Sequence, residues 1–384
     1  MKTTKRIRAE FILCALMLLG APGGRAADKY RVYLGTAGTL ENEGVFRSVL
    51  DVRTGQLSQP ELAVAALRPG VITIHPAGTH LYTIGKPAGY KGPRSGSVCA
   101  YKIDRDSGSL TLLNYEETKG QGPCYLQIDH QRRNILVCHY MSGNISVLPI
   151  AADGSVRPVS CVQQHSGSSQ NPIRQDRPHP HSVTLDAADR YAFVTDLGLD
   201  RIVIYRYDSA KGKLIPSNSR YVATRPGSGP RHFVFGPGER FAYANLELTS
   251  EVTVFRHDAE HGSLQPVQTI STLPDDYAGR NANAGIRITP DGRFLYVTNR
   301  GHNSVAMFAV DSKSGRLTWL GSAATPGEVP QSLAIDPTGR WLIATDMRSG
   351  HARVFKINKE TGRLTHACTI TVPKVNTVVF QPLD

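Results

Sequence analysis

One turn recurs seven times along this chain of 384 residues, and it restricts the possible folds more than any other feature. Copies such as "DVRTGQL" at Asp51 and "NKETGRL" at Asn358 place Asp or Asn a few residues before Gly. The Asp or Asn side chain caps a turn, and Gly takes the left-handed position that leads into the next strand of a hairpin. A period near 50 in short alternating strands predicts an all-β propeller with one four-stranded blade per repeat. The turn glycines, whose six intervals average about 51 residues, are Gly55, Gly108, Gly154, Gly212, Gly262, Gly315 and Gly362.

A second repeated unit, an apolar strand, a turn and another strand, fixes the number of blades. It occurs six times, for example as "HSVTLDAADRYAFVT" from His181 and "QSLAIDPTGRWLIAT" from Gln331. A seventh first strand, "NTVVFQPLD", ends the chain, while the N-terminal strands "YRVYLGT" and "GVFRSVLDVRTGQL" lack an inner strand before them. We therefore predict a seven-bladed β-propeller in one domain, residues 27–384, whose last blade is closed by N- and C-terminal strands. Closure removes the open sheet edges.

The first 26 residues form a separate segment. Four basic residues precede the apolar run "FILCALMLLG", and small residues follow at Gly24 and Ala26. This pattern predicts a cleaved signal peptide, residues 1–26, because about ten apolar residues are too few to span a bilayer. We expect an exported protein, periplasmic or secreted, with no membrane attachment after cleavage.

Charge and cysteine content limit the kinds of partner. Loss of residues 1–26 removes five basic residues and one acidic residue, which lowers the formal net charge from +12 to +8. A basic chain suits an anionic small molecule, an anionic surface or nucleic acid, but dispersed Lys and Arg argue against nucleic acid. The five cysteines that follow the signal peptide show no CxxC spacing, which argues against a disulfide framework and a zinc site, although one disulfide remains possible after export.

Equivalent positions in the repeats reveal a cluster of ionisable residues. We count back six positions from the turn residue of each second unit, for example from Pro76. This selects the residues at the start of the inner strands, which are Gly70, Cys124, His181, Arg231, Ala284, Gln331 and Asn376. Counting forward ten positions from the same turn residues selects the ends of the second strands, which are Lys86, Tyr140, Leu197, Glu247, Arg300 and Met347. Because paired strands are antiparallel, both sets lie on one face of the ring. His181, Arg231, Glu247 and Arg300 are therefore the candidate catalytic residues, with an ion-pair network between blades as the alternative.

The longest interval, 58 residues between Gly154 and Gly212, contains the polar insertion "QHSGSSQNPIRQDRPHPHS", residues 164–182. A polar insertion next to His181 predicts a lid or a binding loop. We expect no metal, since no carboxylate or cysteine lies at ligand spacing near His179 and His181. The candidate substrate-binding residues are Arg174, Gln175, His179, Gln331 and Asn376.

Several segments resemble the lactonase family of seven-bladed propellers, which includes a 6-phosphogluconolactonase and a fungal carboxy-muconate cycloisomerase. These segments include "HSGSSQNPIRQDRPHPHSV", "DLGLDRIVIY", "PRHFVFGPGERFAYANLEL" and "ITPDGRFLYVTNRGHNSVAMF". The resemblance implies catalytic roles for the same four residues. Two departures concern the site: Gly285 stands where family members commonly carry an acidic residue, and Leu246 stands where many carry asparagine.

The resemblance implies a hydrolase that opens a sugar lactone without a cofactor. Arg231 and Arg300 would bind the anionic group and the oxyanion. His181, with a near-neutral pKa, or Glu247 would take a proton from the attacking water. No GxSxG motif is present, which favours direct attack by water. The alternatives are a cycloisomerase that uses the same residues and a non-catalytic binding propeller. We expect a monomer whose partner is a small anionic or sugar lactone.

Overall fold

A computed structural model describes residues 27–39, 43–91 and 95–383, so the predicted signal peptide lies outside the described residues. These residues form strands and no helix. The strands are β1 (Lys29–Thr36), β2 (Gly44–Asp51), β3 (Glu61–Leu67), β4 (Ile72–Ile74), β5 (His80–Ile84), β6 (Lys86–Pro87), β7 (Ser97–Ile103), β8 (Leu110–Glu117), β9 (Pro123–Ile128), β10 (Asn134–His139), β11 (Asn144–Pro149), β12 (Cys161–Gln164), β13 (Pro180–Leu185), β14 (Tyr191–Asp196), β15 (Arg201–Asp208), β16 (Lys213–Ala223), β17 (Pro230–Phe235), β18 (Phe241–Leu246), β19 (Glu251–Asp258), β20 (Ser263–Ser271), β21 (Ala282–Ile288), β22 (Phe294–Arg300), β23 (Ser304–Val310), β24 (Leu317–Ala324), β25 (Pro330–Ile335), β26 (Trp341–Asp346), β27 (His351–Ile357), β28 (Leu364–Thr371) and β29 (Val375–Leu383).

The strands form seven antiparallel sheets, as the repeats predict. Blade 1 contains β4, β5, β7 and β8, and blades 2 to 6 contain the successive groups β9–β12, β13–β16, β17–β20, β21–β24 and β25–β28. Blade 7 has the strand order β29-β1-β2-β3, so its inner strand comes from the C-terminus and its other strands from the N-terminus. The predicted closure is confirmed. A short strand not predicted from the sequence, β6, pairs with the outer edge of β3.

The seven turn glycines all have positive φ, between 58° and 86°. Asp or Asn caps the turns as predicted; for example, Asp311 Oδ1 accepts a hydrogen bond from the amide of Ser314 at 2.7 Å. The turns also contact the preceding blade. The ring of Phe241 in blade 4 packs under Gly315 in blade 5, and the hydroxyl of Tyr243 donates to the carbonyl of Gly315 at 3.1 Å. The repeated turn therefore joins neighbouring blades as well as neighbouring strands.

The inner strands of blades 2, 3, 4 and 6 share an irregular start. Each begins with proline, and the pairing register shifts immediately after that proline. Proline is tolerated at the first residue of an edge strand, and a β-bulge changes the direction of the side chain at the extra residue. The extra residues are Cys124, His181, Arg231 and Gln331. The bulges thus occur at the positions that comparison of the repeats selects.

The apolar core lies within and between the blades. One of seven buried clusters joins blades 6 and 7 and includes Val32, Trp341 and Val378. The indole Nε1 of Trp341 donates to the carbonyl of Val52 at 2.8 Å, which links the two blades across the closure. The five cysteines among the described residues are unpaired. Within that same part of the chain, no helix is long and apolar enough to cross a membrane.

Candidate active site

Glu247 lies at the centre of the predicted cluster. It follows β18 directly and is 2% exposed. Its Oε2 atom lies 2.9 Å from Arg231 Nε and 2.8 Å from Arg300 Nη2. Its Oε1 atom accepts a hydrogen bond from Arg174 Nη2 at 2.5 Å. Three arginines from blade 4, blade 5 and the insertion therefore meet at one carboxylate.

This cluster carries more positive than negative charge. Three guanidinium groups and one carboxylate leave an excess of two positive charges. Burial alone would raise the pKa of Glu247, but Arg300 and Arg231 outweigh it and lower that pKa to about 2. Burial and the nearby charge of Arg300 lower the pKa of Arg231 to about 10. Both groups are charged at neutral pH, and the arginines repel one another.

His181 lies beside the carboxylate and is a neutral imidazole. Its Nε2 atom is 4.0 Å from Glu247 Oε2, too far for a hydrogen bond. Its Nδ1 atom is buried and has no hydrogen-bond partner among the described residues. Burial, followed by the charge of Arg231, lowers the pKa of His181 to about 3. The expectation of a near-neutral pKa was therefore wrong, because the sequence does not show how completely the ring is removed from water.

Backbone carbonyls hold two of the arginines. Arg231 Nη1 donates to the carbonyl of Ala284 at 2.8 Å, and Arg300 Nη2 donates to the carbonyl of Asn283 at 3.0 Å. Arg300 Nη1 also reaches Gln331 Oε1 at 3.4 Å, which places Gln331 at the rim. These bonds fix the guanidinium planes of two residues that belong to different blades.

The two departures from the family pattern leave the cluster intact. A Cβ atom at Gly285 would lie 3.0 Å from the amide nitrogen of Leu333, so this position faces the backbone of the next inner strand. Leu246 is buried and pairs with Pro230, and Glu247 after it still reaches the arginines.

The other predicted binding residues differ in position. The ring of His179 is buried and stacks on Tyr140, with ring centroids 4.1 Å apart. Gln175 is completely buried. Its side-chain Nε2 donates to the carbonyl of Leu197 and its Oε1 accepts from the backbone amide of Asn171, so both polar atoms have partners within the protein. Asn376 donates to the carbonyl of Gly70 at 2.6 Å.

Three aromatic residues at the site were not predicted to take part. The Tyr140 hydroxyl lies 3.3 Å from Arg174 Nη2, and the His232 ring contacts the His181 ring edge-to-face at 5.5 Å. The Tyr125 ring lies 5.4 Å from the His232 ring. Tyr140 belongs to the set of second-strand ends, and His232 follows Arg231 directly, so both could have been found. Tyr125 carries no comparable signal.

Three cavities lie away from Glu247. A cavity of 810 Å³ between blades 7 and 1 includes Arg31 and Arg47, and one of 660 Å³ lies beside Lys86 and Tyr90. A third, of 540 Å³, lies around the turns of blades 4 and 5. The side chains of His181, Arg231 and Arg300 instead pack closely around Glu247. Among the described residues, no three His, Cys, Asp or Glu side chains are grouped for a metal ion.

Comparison with known proteins identifies the family. The family model described as "Lactonase, 7-bladed beta-propeller" matches residues 31–380. The chain belongs to this lactonase family. It is 36% identical over 303 residues to a 6-phosphogluconolactonase of Bacillus subtilis, a match that covers 79% of this chain and 84% of the relative. It is 30% identical over 270 residues to a 6-phosphogluconolactonase of Formosa agariphila, covering 69% and 74%.

One solved structure is similar to this chain over most of its length. The periplasmic gluconolactonase of Pseudomonas aeruginosa superposes with a TM-score of 0.87 at 32% sequence identity. The match covers 93% of this chain and all of the other. The lactonase fold therefore extends over the described ring.

Proposed function

We propose that this chain hydrolyses a sugar lactone that carries an anionic group, with 6-phosphogluconolactone as the leading substrate. The relatives named 6-phosphogluconolactonase support the reaction class. The observation that carries the proposal is the charge at the channel mouth, where three arginines surround Glu247. An excess of two positive charges in a largely buried cluster favours a ligand with two negative charges, because that ligand restores neutrality.

The three arginines have different roles in this proposal. Arg174 comes from the insertion, and its side chain is 38% exposed, compared with 4% for Arg231 and 20% for Arg300. It can leave Glu247 most easily to form bidentate hydrogen bonds with the anionic group. Arg231 and Arg300 are held by backbone carbonyls, and a fixed donor of this kind stabilises the negative charge that develops on the lactone carbonyl oxygen.

Glu247 acts as the general base. When Arg174 moves to the substrate, Oε1 becomes free while Oε2 stays beside Arg231 and Arg300. Oε1 accepts a proton from water as the water oxygen attacks the carbonyl carbon. The bond from that carbon to the ring oxygen then breaks, the proton passes to the ring oxygen, and the open-chain acid results. Loss of the Arg174 contact raises the Glu247 pKa from about 2 and makes the carboxylate a better base.

His181 acts as a neutral hydrogen-bond donor. Its pKa of about 3 excludes a protonated imidazole at neutral pH. A neutral imidazole can still donate a hydrogen bond to an oxygen on which negative charge develops. We assign this donation to the ring oxygen of the lactone.

The reaction is proposed to take place outside the cytoplasm, in the periplasm or after secretion. The signal-peptide pattern of residues 1–26 and the periplasmic gluconolactonase among the similar structures support this location. We also propose that the protein acts as a monomer, since all four catalytic residues and Arg174 come from one chain.

The test compares 6-phosphoglucono-1,5-lactone with glucono-1,5-lactone as substrates for purified residues 27–384, after subtraction of spontaneous ring opening. We expect kcat/KM to be about a hundredfold or more higher for the phosphorylated lactone, since two charge-assisted hydrogen bonds contribute about 1.5 to 3 kcal/mol each. An equal or higher value for the unphosphorylated lactone would contradict the charge argument. No acceleration with either lactone would contradict the proposed function itself.

A further inference from the structure

The turn between β14 and β15, residues Asp196–Asp200 with the sequence "DLGLD", lies under the insertion and is here called the anchor turn. Its first carboxylate, Asp196, is completely buried. Asp196 Oδ2 lies 2.6 Å from His165 Nδ1, and Asp196 Oδ1 accepts a hydrogen bond from the amide of His179 at 2.7 Å. His165 and His179 lie near the two ends of the insertion. One carboxylate therefore holds both ends.

The second carboxylate, Asp200, connects the insertion to the backbone of the catalytic base. Its Oδ2 atom accepts a hydrogen bond from the Ser169 hydroxyl at 2.5 Å, and its Oδ1 atom accepts one from the amide of Gly229 at 2.7 Å. The carbonyl of Gly229 in turn accepts a hydrogen bond from the amide of Glu247 at 2.7 Å. Asp200 thus lies two hydrogen bonds from Glu247.

The glycine in the middle of the anchor turn permits close contact with the insertion. A Cβ atom at Gly198 would overlap the carbonyl oxygen of Arg177, so the backbone of the insertion lies directly on the turn. The buried amide of Gln175 donates to the carbonyl of Leu197 at 2.8 Å. Gln175 is the neighbour of Arg174 in the chain. Contact with the turn therefore fixes the backbone next to the arginine that binds Glu247.

Blade 6 shows what the same position does without an insertion. Asp346 ends β26 as Asp196 ends β14, and both pair with the proline that begins the inner strand. Asp346 binds Arg353 of its own blade at 2.7 Å, and Gly350 stands where blade 3 has Asp200. Both carboxylates of the anchor turn therefore bind groups of the insertion, whereas Asp346 binds an arginine of its own blade.

We propose that the anchor turn sets the position of Arg174 over Glu247, so that Asp196, Gly198 and Asp200 are positioning residues for anion binding. This inference rests on the proposed function. It assigns a role to a segment that contacts no reacting atom.

The principal variant is Gly198→Ala, which displaces the insertion without a change of charge. We expect KM for 6-phosphogluconolactone to rise about tenfold or more, the equivalent of a lost charge-assisted hydrogen bond, with little change in kcat. In an Arg174→Ala background, the same substitution should leave KM nearly unchanged, because the two residues act through one contact. Equal effects in both backgrounds would overturn the proposal.

Two further variants keep the test interpretable if Gly198→Ala does not fold. Ser169→Ala removes only the hydroxyl bonded to Asp200, and it should raise KM about fivefold. Asp346→Asn is the matched control: it should lower the melting temperature and leave KM unchanged. An unchanged KM in Ser169→Ala, or an Asp346→Asn effect on KM as large as that of Ser169→Ala, would overturn the proposal.

A binding measurement separates this inference from the proposed function. Calorimetry with 6-phosphogluconate as the probe measures anion binding without turnover. Gly198→Ala should weaken this affinity by the same factor as it raises KM. If the parent binds the probe but hydrolyses no lactone, the proposed function fails while the positioning role is supported by weaker binding in Gly198→Ala. Unchanged binding in that variant of an active enzyme would overturn the positioning role alone.

Discussion

Three guanidinium groups share one carboxylate at the channel mouth, and each is held there by different contacts. Arg231 and Arg300 are fixed by carbonyls of blade 5, whereas Arg174 arrives from the insertion. Like charges in a region with little water repel strongly. The unbalanced positive charge of the three arginines therefore favours the binding of a doubly charged anion.

The pKa of His181 gives a prediction at this scale. Its value is about 3 in the folded protein and about 6.5 in an unfolded chain, so the unfolded state binds the proton more readily. The neutral His181 ring therefore makes its full contribution to the free energy of unfolding above pH 6.5. This contribution is lost as the pH falls toward 3, by about 1.4 kcal/mol per pH unit. When the pH falls from 6.5 to 5, the free energy of unfolding measured with urea should therefore fall by about 2 kcal/mol less in His181→Asn than in the parent.

A surface histidine provides the control for that measurement. His261 is exposed, and its hydrogen bond to Asp258 raises its pKa. His261→Asn should show nearly the acid sensitivity of the parent, because an ion pair between exposed side chains contributes little to stability. If His181→Asn shows the same dependence on pH as the parent, the ring is not protected from protonation.

At the scale of the elements, two local irregularities position the site. The β-bulge after the first proline of an inner strand places His181, Arg231 and Gln331 at the rim. The glycine turn links an outer hairpin to side chains of the preceding blade, as Gly315 does to Phe241 and Tyr243. Because the proposed catalytic residues come from different blades, the distances between them depend on how firmly neighbouring blades are joined.

The contact between blades can be tested at two glycines with the same backbone angle. Gly238 and Gly315 both have a φ of +72°, but a Cβ at Gly238 meets nothing within 4 Å, whereas one at Gly315 overlaps the Phe241 ring. Gly238→Ala should lower the free energy of unfolding by about 1 to 2 kcal/mol through backbone strain alone. Gly315→Ala should lower it by about 1 to 3 kcal/mol more, because it also overpacks the contact. Equal losses in denaturant unfolding would show that the turn does not brace the neighbouring blade.

At the scale of the whole molecule, the sequence contained most of the architecture. The repeated turn predicted seven blades, and the unmatched strands at the two ends predicted the closure, because both depend on local patterns and on counting. Counting also selected the four residues that converge on one rim. The depressed pKa of His181, the burial of Gln175 and the added strand β6 were not predicted, because each depends on packing between segments that are distant in the chain.

The turnover number of Glu247→Gln with 6-phosphogluconolactone shows whether this carboxylate is the general base. This variant keeps the size of the side chain and removes the base, so we expect kcat to fall about a hundredfold to ten-thousandfold. Glu239→Gln is the control, since Glu239 lies in the same blade at the turn between β17 and β18, and it should retain the parent rate. A folded Glu247→Gln enzyme that turns over at the parent rate would contradict the account.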